Sequence, residues 1–111
     1  MWTIEYFNHS VKDDVLGLPD GIRTNFNHVT ELLIETGPAN LPPKLRRHLA
    51  GSVWELRFKG REGIARAAYI AVQNKKVVIL CMFIKKSAKT PKKELELAIR
   101  RAAMIKTMYL V

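Results

Sequence analysis

Apolar and polar residues alternate at the start of the chain: Trp2, Ile4 and Tyr6 share one parity and Thr3 and Glu5 the other, the period of a half-buried strand. Asn8 or Ser10 supplies a capping side chain for a short helix that runs to about Gly17. Leu18-Pro19-Asp20-Gly21 interrupts it, with helix-start chemistry on its far side. Ile22, Phe26, Val29, Leu32 and Leu33 then recur at helical spacing on one stripe. Gly37-Pro38 ends this second helix, placing a permissive residue before one that lacks a backbone donor. Residues 38–43 form a Pro-rich connection, and Pro42-Pro43 favours extended backbone.

Three strands are predicted next. In Val53–Lys59, Trp54, Leu56 and Phe58 take one face, and Glu55, Arg57 and Lys59 the other. Gly60-Arg61-Glu62-Gly63 is a turn. Ile64–Val72 is alanine-rich and weak by propensity, but Tyr69, Ile70 and Val72 support a strand. After a second turn at Gln73–Lys76, Val77–Ile84 is apolar at both parities, which predicts burial on both faces and a central place in the sheet. Turns this short make the three an antiparallel meander. Thr90-Pro91 reads as an N-cap and a first-position proline, opening a helix to about Met108 with Leu95, Ala98, Ala102 and Ile105 along one side. The order β-α-α-β-β-β-α predicts a small α+β fold with a mostly antiparallel four-stranded sheet, and residues 1–111 read as one domain.

Composition narrows the class. At 48% hydrophobic and 26% charged residues, the 111-residue chain lies in the ordinary globular range and is not expected to be disordered. Its single cysteine, Cys81, sits within the apolar strand, so no disulfide forms within one chain, which suits a reducing cytoplasm. Met1-Trp2-Thr3-Ile4-Glu5 has neither the basic nor the apolar segment of a signal peptide, and the apolar run Val77–Ile84 is too short to span a bilayer. A soluble cytoplasmic protein without membrane association is expected.

Charge is unevenly spread. Residues 1–43 carry six acids against two bases, a net of −4, whereas residues 44–111 carry seventeen bases against four acids, a net of +13. The total of +9 therefore belongs to the C-terminal two-thirds. Nucleic acid is the natural partner, because each phosphate neutralised by Lys or Arg releases condensed counterions. No His/Cys/Asp/Glu set has metal-ligand spacing, and no Gly-rich phosphate loop or G-x-S-x-G elbow occurs, so no metal or cofactor is expected. His9, His28 and His48 are scattered over helices and a loop, apart from the basic strands, and read as surface or packing residues.

Three features carry candidate chemistry. Arg66 lies in Ile64-Ala65-Arg66-Ala67-Ala68-Tyr69-Ile70, and a long cation among uncharged residues needs a carboxylate, a bound anion or an exposed face. Arg57 and Lys59, with Glu55 on the same strand face and Arg61 in the turn, approach Arg66 if the hairpin closes about Gly60–Gly63; otherwise they form a solvated face. Lys85, Lys86, Lys89, Lys92 and Lys93 crowd the entry to the last helix without an acid. Lysines oppose the partial positive charge of a helix N-terminus, which suggests a bound phosphate there, the alternative being a solvated loop. Trp2 and Trp54 are at inward parity and read as core, while Phe83 and Tyr69 suit either core packing or stacking on a base.

With Trp54-Glu55-Leu56-Arg57-Phe58, then Gly63-Ile64-Ala65-Arg66-Ala67-Ala68-Tyr69, then Phe83-Ile84-Lys85-Lys86-Ser87-Ala88-Lys89-Thr90-Pro91 in order, the chain resembles the RelE/HigB-like toxins of bacterial type II toxin–antitoxin systems, in their phage-derived branch. The likeness covers nearly the whole chain and implies a RelE-like fold. It also implies a metal-independent endoribonuclease that cuts messenger RNA at the ribosomal A site, with a cognate, helix-turn-helix, DNA-binding antitoxin as partner. Carried over, Arg66 takes the scissile phosphate, Arg57 stabilises charge or moves a proton, and Lys86 faces the phosphate. Lys59, Arg61, Phe83, Lys85, Lys89, Lys92 and Lys93 contact RNA or ribosome. Ala65, Ala67 and Ala68 are smaller than in many relatives, and near the C-terminal helix only Tyr109 is available as a proton-transfer group.

The rival readings are a ParE-like toxin that acts on DNA gyrase without nuclease chemistry, and a non-enzymatic nucleic-acid-binding phage regulator. Two stability expectations accompany the site assignment. Arg66→Ala should cost little if that side chain serves phosphate, and Trp54→Ala about 3–5 kcal/mol if the indole is core.

Overall fold

A computed structural model of the chain describes residues 1–86 and 88–109. Five strands form one sheet in the order β1-β5-β4-β3-β2, where β1 is Thr3–Tyr6, β2 Arg46–Ala50, β3 Val53–Gly60, β4 Gly63–Val72 and β5 Lys76–Ile84. Helices α1 (His9–Leu16) and α2 (Asp20–Thr36) follow β1, and α3 (Lys92–Tyr109) follows β5. The α+β fold is mostly antiparallel, with β1 running parallel to β5, an interior strand next to the edge, while β4 lies at the centre, and it is compatible with a RelE-like fold. No described helix is long and apolar enough to cross a membrane.

The helices begin as local chemistry dictates. The Val11 N–H donates to Asn8 Oδ1 at 2.9 Å, capping α1. The N-terminus of α2 is preceded by Pro19, which makes no side-chain cap. Its cap comes from a distance: Gly21 N–H donates to Glu62 Oε2 at 3.0 Å and Ile22 N–H to Glu62 Oε1 at 3.2 Å. Glu62 sits at the β3–β4 turn, and those backbone donors, Gly21 foremost, hold its carboxyl below the usual carboxylate range against the opposing effect of its partial desolvation. The approach is so close that a Cβ at Gly60 would collide with Ile22 N, which explains the glycine there. At the other end of α2, Gly37 takes φ +87° with Trp2 Nε1 where a side chain would be.

Two apolar layers enclose the sheet. On one face Leu56, Phe58, Ala65, Ala67, Tyr69, Val77 and Ile79 meet the inner stripes of α1 and α2, and Phe26 packs edge-on against Phe58 at 4.8 Å between centroids. On the other, Val53, Ala68, Ile70, Val72, Val78, Leu80 and Cys81 lie under Ala98, Ala102 and Ile105 of α3. Cys81 is buried, which pushes its thiol up to about 11.

One strand departs from simple alternation. Ala68 pairs with Cys81 but Tyr69 with Ile79, so Leu80 is an extra residue, a bulge on β5. Leu80 and Cys81 both join the α3-side layer, and the Leu80 carbonyl accepts from Arg101 Nη1 at 2.6 Å. Beyond the bulge the parity is reversed: Met82 belongs to the layer under α1 and α2, and Phe83 packs on the α3 side.

Two expectations are corrected. The sheet has five strands, not four: Arg46–Ala50 pairs antiparallel with β3, so His48 lies on a strand opposite Trp54 and beside the basic sheet rather than in a loop. As an edge strand rich in charge, β2 carries no alternation to reveal it. Thr90 does not spend its hydroxyl on capping α3 but donates it to Glu55 Oε2 at 2.7 Å, because a fully buried carboxylate requires a donor.

Candidate nucleic-acid interface

The hairpin register places the cations. Arg57 pairs with Arg66, and Arg66 pairs with Phe83, so one row across β3, β4 and β5 carries two guanidiniums and an aromatic ring on the α3-side face. The adjoining row is Arg47, Glu55, Ala68 and Cys81. On its other side Lys59 pairs with Ile64, whose carbonyl accepts from the Lys85 N–H at 2.7 Å. Arg57, Arg66, Phe83, Lys59 and Lys85 are thereby brought to one end of one face.

Their exposures differ. Arg57 is half-buried and forms no hydrogen bond or ion pair among the described residues. It lines a cleft of about 420 Å³ with Asn25, Lys44, Leu45, Lys59 and Ile64, at the edge of β3 left open where β2 ends. Asn25 Nδ2 donates to the Lys59 carbonyl at 2.9 Å and steadies that edge. Phe83 and Lys85 are half-buried, and Lys59 and Lys86 exposed. Lys86 lies two residues past the end of β5.

Arg66 is different. It is 2% exposed and sits 3.5 Å, Nε to Oε1, from Glu55, itself fully buried. Its Nη2 donates to the Ala88 carbonyl at 3.2 Å, and Arg47 Nη1, from β2, donates to the same oxygen at 3.4 Å. With Thr90 bonded to Glu55, the chain from Ala88 to Thr90 is strapped over the sheet. Arg66 Nε, Arg66 Nη1 and Glu55 Oε1 are buried without a hydrogen bond among the described residues. The expectation that Arg66 is dispensable for stability is therefore corrected: its removal would strand a buried carboxylate.

The remaining predicted cations are exposed. Arg61, at the hairpin tip, is 3.5 Å from Glu62 with its side chain 85% exposed. Lys92 opens α3 and pairs loosely with Glu96 at 3.8 Å; Lys93 and Lys89 are exposed. Tyr109 is at the wrong end: its hydroxyl accepts from Lys76 Nζ at 3.3 Å and donates to Glu5 at 3.2 Å, beside the first residue of β5. Lys76 and Phe83 are seven residues apart along that strand, roughly 23 Å. The histidines are also away from this face: His9 and His28 are exposed on α1 and α2, and His48 rests against Trp54 at 5.1 Å on the opposite face. Trp54 is half-buried rather than core, with the Arg46 guanidinium 5.1 Å from its ring.

Arg47 is the residue that sequence reasoning missed, because its role depends on β2. The signal was present in Arg46-Arg47-His48, a basic triplet just before the first basic strand. Chemically, the face offers guanidiniums and ammoniums to an anion, with one carboxylate, Glu55, withdrawn beneath them.

Residues 13–103 match the family model described as Phage derived protein Gp49-like (DUF891), a match that runs from within α1 well into α3. No curated protein is similar enough to the chain to match it. The chain belongs to the phage-derived Gp49-like family, a RelE/toxin-like family.

Proposed function

We propose that this chain is the toxin of a type II toxin–antitoxin pair of RelE/HigB type, a metal-independent endoribonuclease that cuts messenger RNA at the ribosome and so stops translation and growth. The supporting observation is the Arg57–Arg66–Phe83 row with Lys85 and Lys86 at its end. In this reading the ring of Phe83 stacks on a base while the cations hold the phosphate that follows it. The 2′-oxygen bonds to the adjacent phosphorus as its proton passes to solvent water, and the bond from phosphorus to the 5′-oxygen breaks, giving a 2′,3′-cyclic phosphate and a 5′-hydroxyl. Arg57 and Arg66 stabilise the charge that grows on the phosphorane oxygens. Lys86 returns a proton to the leaving 5′-oxygen. Lys59, Arg61, Lys85, Lys89, Lys92 and Lys93 extend the contact along RNA or ribosome. The cell keeps such a protein harmless in its cytoplasm with a cognate helix-turn-helix antitoxin.

Primer extension on a messenger RNA in a purified translation system, with and without ribosomes, tests this. Discrete cuts that require ribosomes and fall at least about 100-fold in Arg57→Ala support it. Arg57 suits the test because, among the described residues, it has no hydrogen-bond or ion-pair partner whose loss would unfold the protein. One observation favours a second reading, a ParE-like gyrase toxin: Arg66 is 2% exposed and paired to Glu55, as a purely structural arginine would be. Absence of cuts, together with inhibition of gyrase supercoiling, would replace the first reading with the second.

A further inference from the structure

We propose that Arg47 and Arg66 form a phosphate-binding fork, plugged in this structure by the Ala88 carbonyl, and that RNA enters by displacing this strap. The identity of the ligand, an RNA phosphodiester, rests on the function proposed above; the fork itself rests on geometry. Two guanidiniums from different strands converge on one neutral oxygen, at 3.4 and 3.2 Å. Charge-assisted pairs close to about 2.7–2.9 Å, so the carbonyl is a poor substitute for the anion such a pair recognises. Nη1 of the same Arg66 guanidinium, beside the Nη2 that reaches Ala88, is buried and has no hydrogen-bond partner among the described residues. A carbonyl brings one oxygen; a phosphodiester brings two non-bridging oxygens and a negative charge, enough to bond both Arg66 Nη atoms and Arg47 together. Glu55 keeps its place behind Arg66, at the Nε side, and aims the fork outward. The latch of the strap is Thr90, whose hydroxyl bonds Glu55 at 2.7 Å. While it is closed, only a fraction of molecules is competent to bind, and apparent affinity is reduced by that fraction.

The test reads binding, not cleavage, so a failed nuclease reading leaves it intact. A fluorescein-labelled, single-stranded 2′-O-methyl oligoribonucleotide, which cannot attack its own phosphate, is titrated by anisotropy into folded wild-type protein and variants. Arg47→Ala should weaken binding about tenfold or more, whereas Lys12→Ala, an equal loss of charge on the helical side, should stay within about twofold. Thr90→Val should tighten binding, by roughly tenfold if one hydrogen bond to a charged group holds the latch. In wild-type protein, saturation should shift the ¹³C-carbonyl resonance of Ala88, a readout that needs no variant to fold. Equal effects of Arg47→Ala and Lys12→Ala, an unmoved Ala88 resonance, or a folded Thr90→Val that binds no more tightly would each overturn the proposal.

Discussion

Replacing Arg66 by alanine should unfold a substantial fraction of the protein's stability, and the structure sets the size of the loss. Glu55 is fully buried and its guanidinium partner 2% exposed. Among the described residues, truncation leaves the carboxylate one protein donor, the Thr90 hydroxyl at 2.7 Å. Breaking a buried pair from one side costs about 3–5 kcal/mol, since desolvation of the remaining charge is no longer offset. For a chain of this length each kcal/mol moves the midpoint roughly 4 °C, so the melting temperature should fall by about 12–20 °C. The companion variant Glu55→Leu/Arg66→Met removes both charges while keeping apolar volume, and should regain most of the loss. Circular dichroism melts and urea titrations of both, at neutral pH, decide it. A single variant that loses under about 1 kcal/mol, or a double variant at least as unstable as the single one, would refute a stabilising role for the pair. The same numbers govern activity assays: cleavage lost in Arg66→Ala is interpretable only against the folded fraction.

Other outcomes follow from the packing. Trp54→Ala should cost about 2 kcal/mol, less than a fully buried indole, because one side of the ring meets solvent and Arg46; chemical denaturation measures it. Gly60→Ala should destabilise by roughly 1–3 kcal/mol, since the new methyl drives into backbone at Gly21 and Ile22 rather than into a side chain that can swing aside. Glu62 has a lowered folded-state pKa, so its stabilisation is complete above the ordinary carboxylate range and disappears as pH falls through the folded value. Melting temperatures of wild type and Glu62→Gln should accordingly differ at pH 7 and converge as pH falls below the ordinary carboxylate range.

Periodicity was a sound guide wherever one face of an element is buried. Of the stripe Ile22, Phe26, Val29, Leu32 and Leu33, all but the exposed Leu32 are buried, and the doubly apolar β5 lies inside the sheet. Legibility ended where a position depends on what crosses it. Arg46-Arg47-His48-Leu49-Ala50 forms a strand only because β3 offers an edge, and the Thr90-Pro91 pair looks like a cap until Glu55 is found beneath it. For Arg66 the sequence posed the right question, a cation in an apolar strand with Glu55 on the neighbouring strand face. Its answer needed the register, which sets Arg66 opposite Arg57 and one row from Glu55. Tyr109, the proton-transfer group that the C-terminal region offers, ends α3 beside Lys76, at the other end of β5 from the cations, which the sequence did not show.

Leu80, the residue without an opposite number on β4, determines more than a local kink. Counting by twos from Val78 reaches Leu80, then Met82 and Ile84, and an unbroken strand would present those two to Arg66 while turning Phe83 into the layer under α1 and α2. The chain has an aromatic among its cations by virtue of a one-residue phase slip, with Arg101 holding the slipped carbonyl in place. Deleting Leu80 would close the bulge and leave Phe83 opposite Arg66, whereas a strand that kept Leu80 in regular pairing would swap the chemical character of its last third from one side of the sheet to the other.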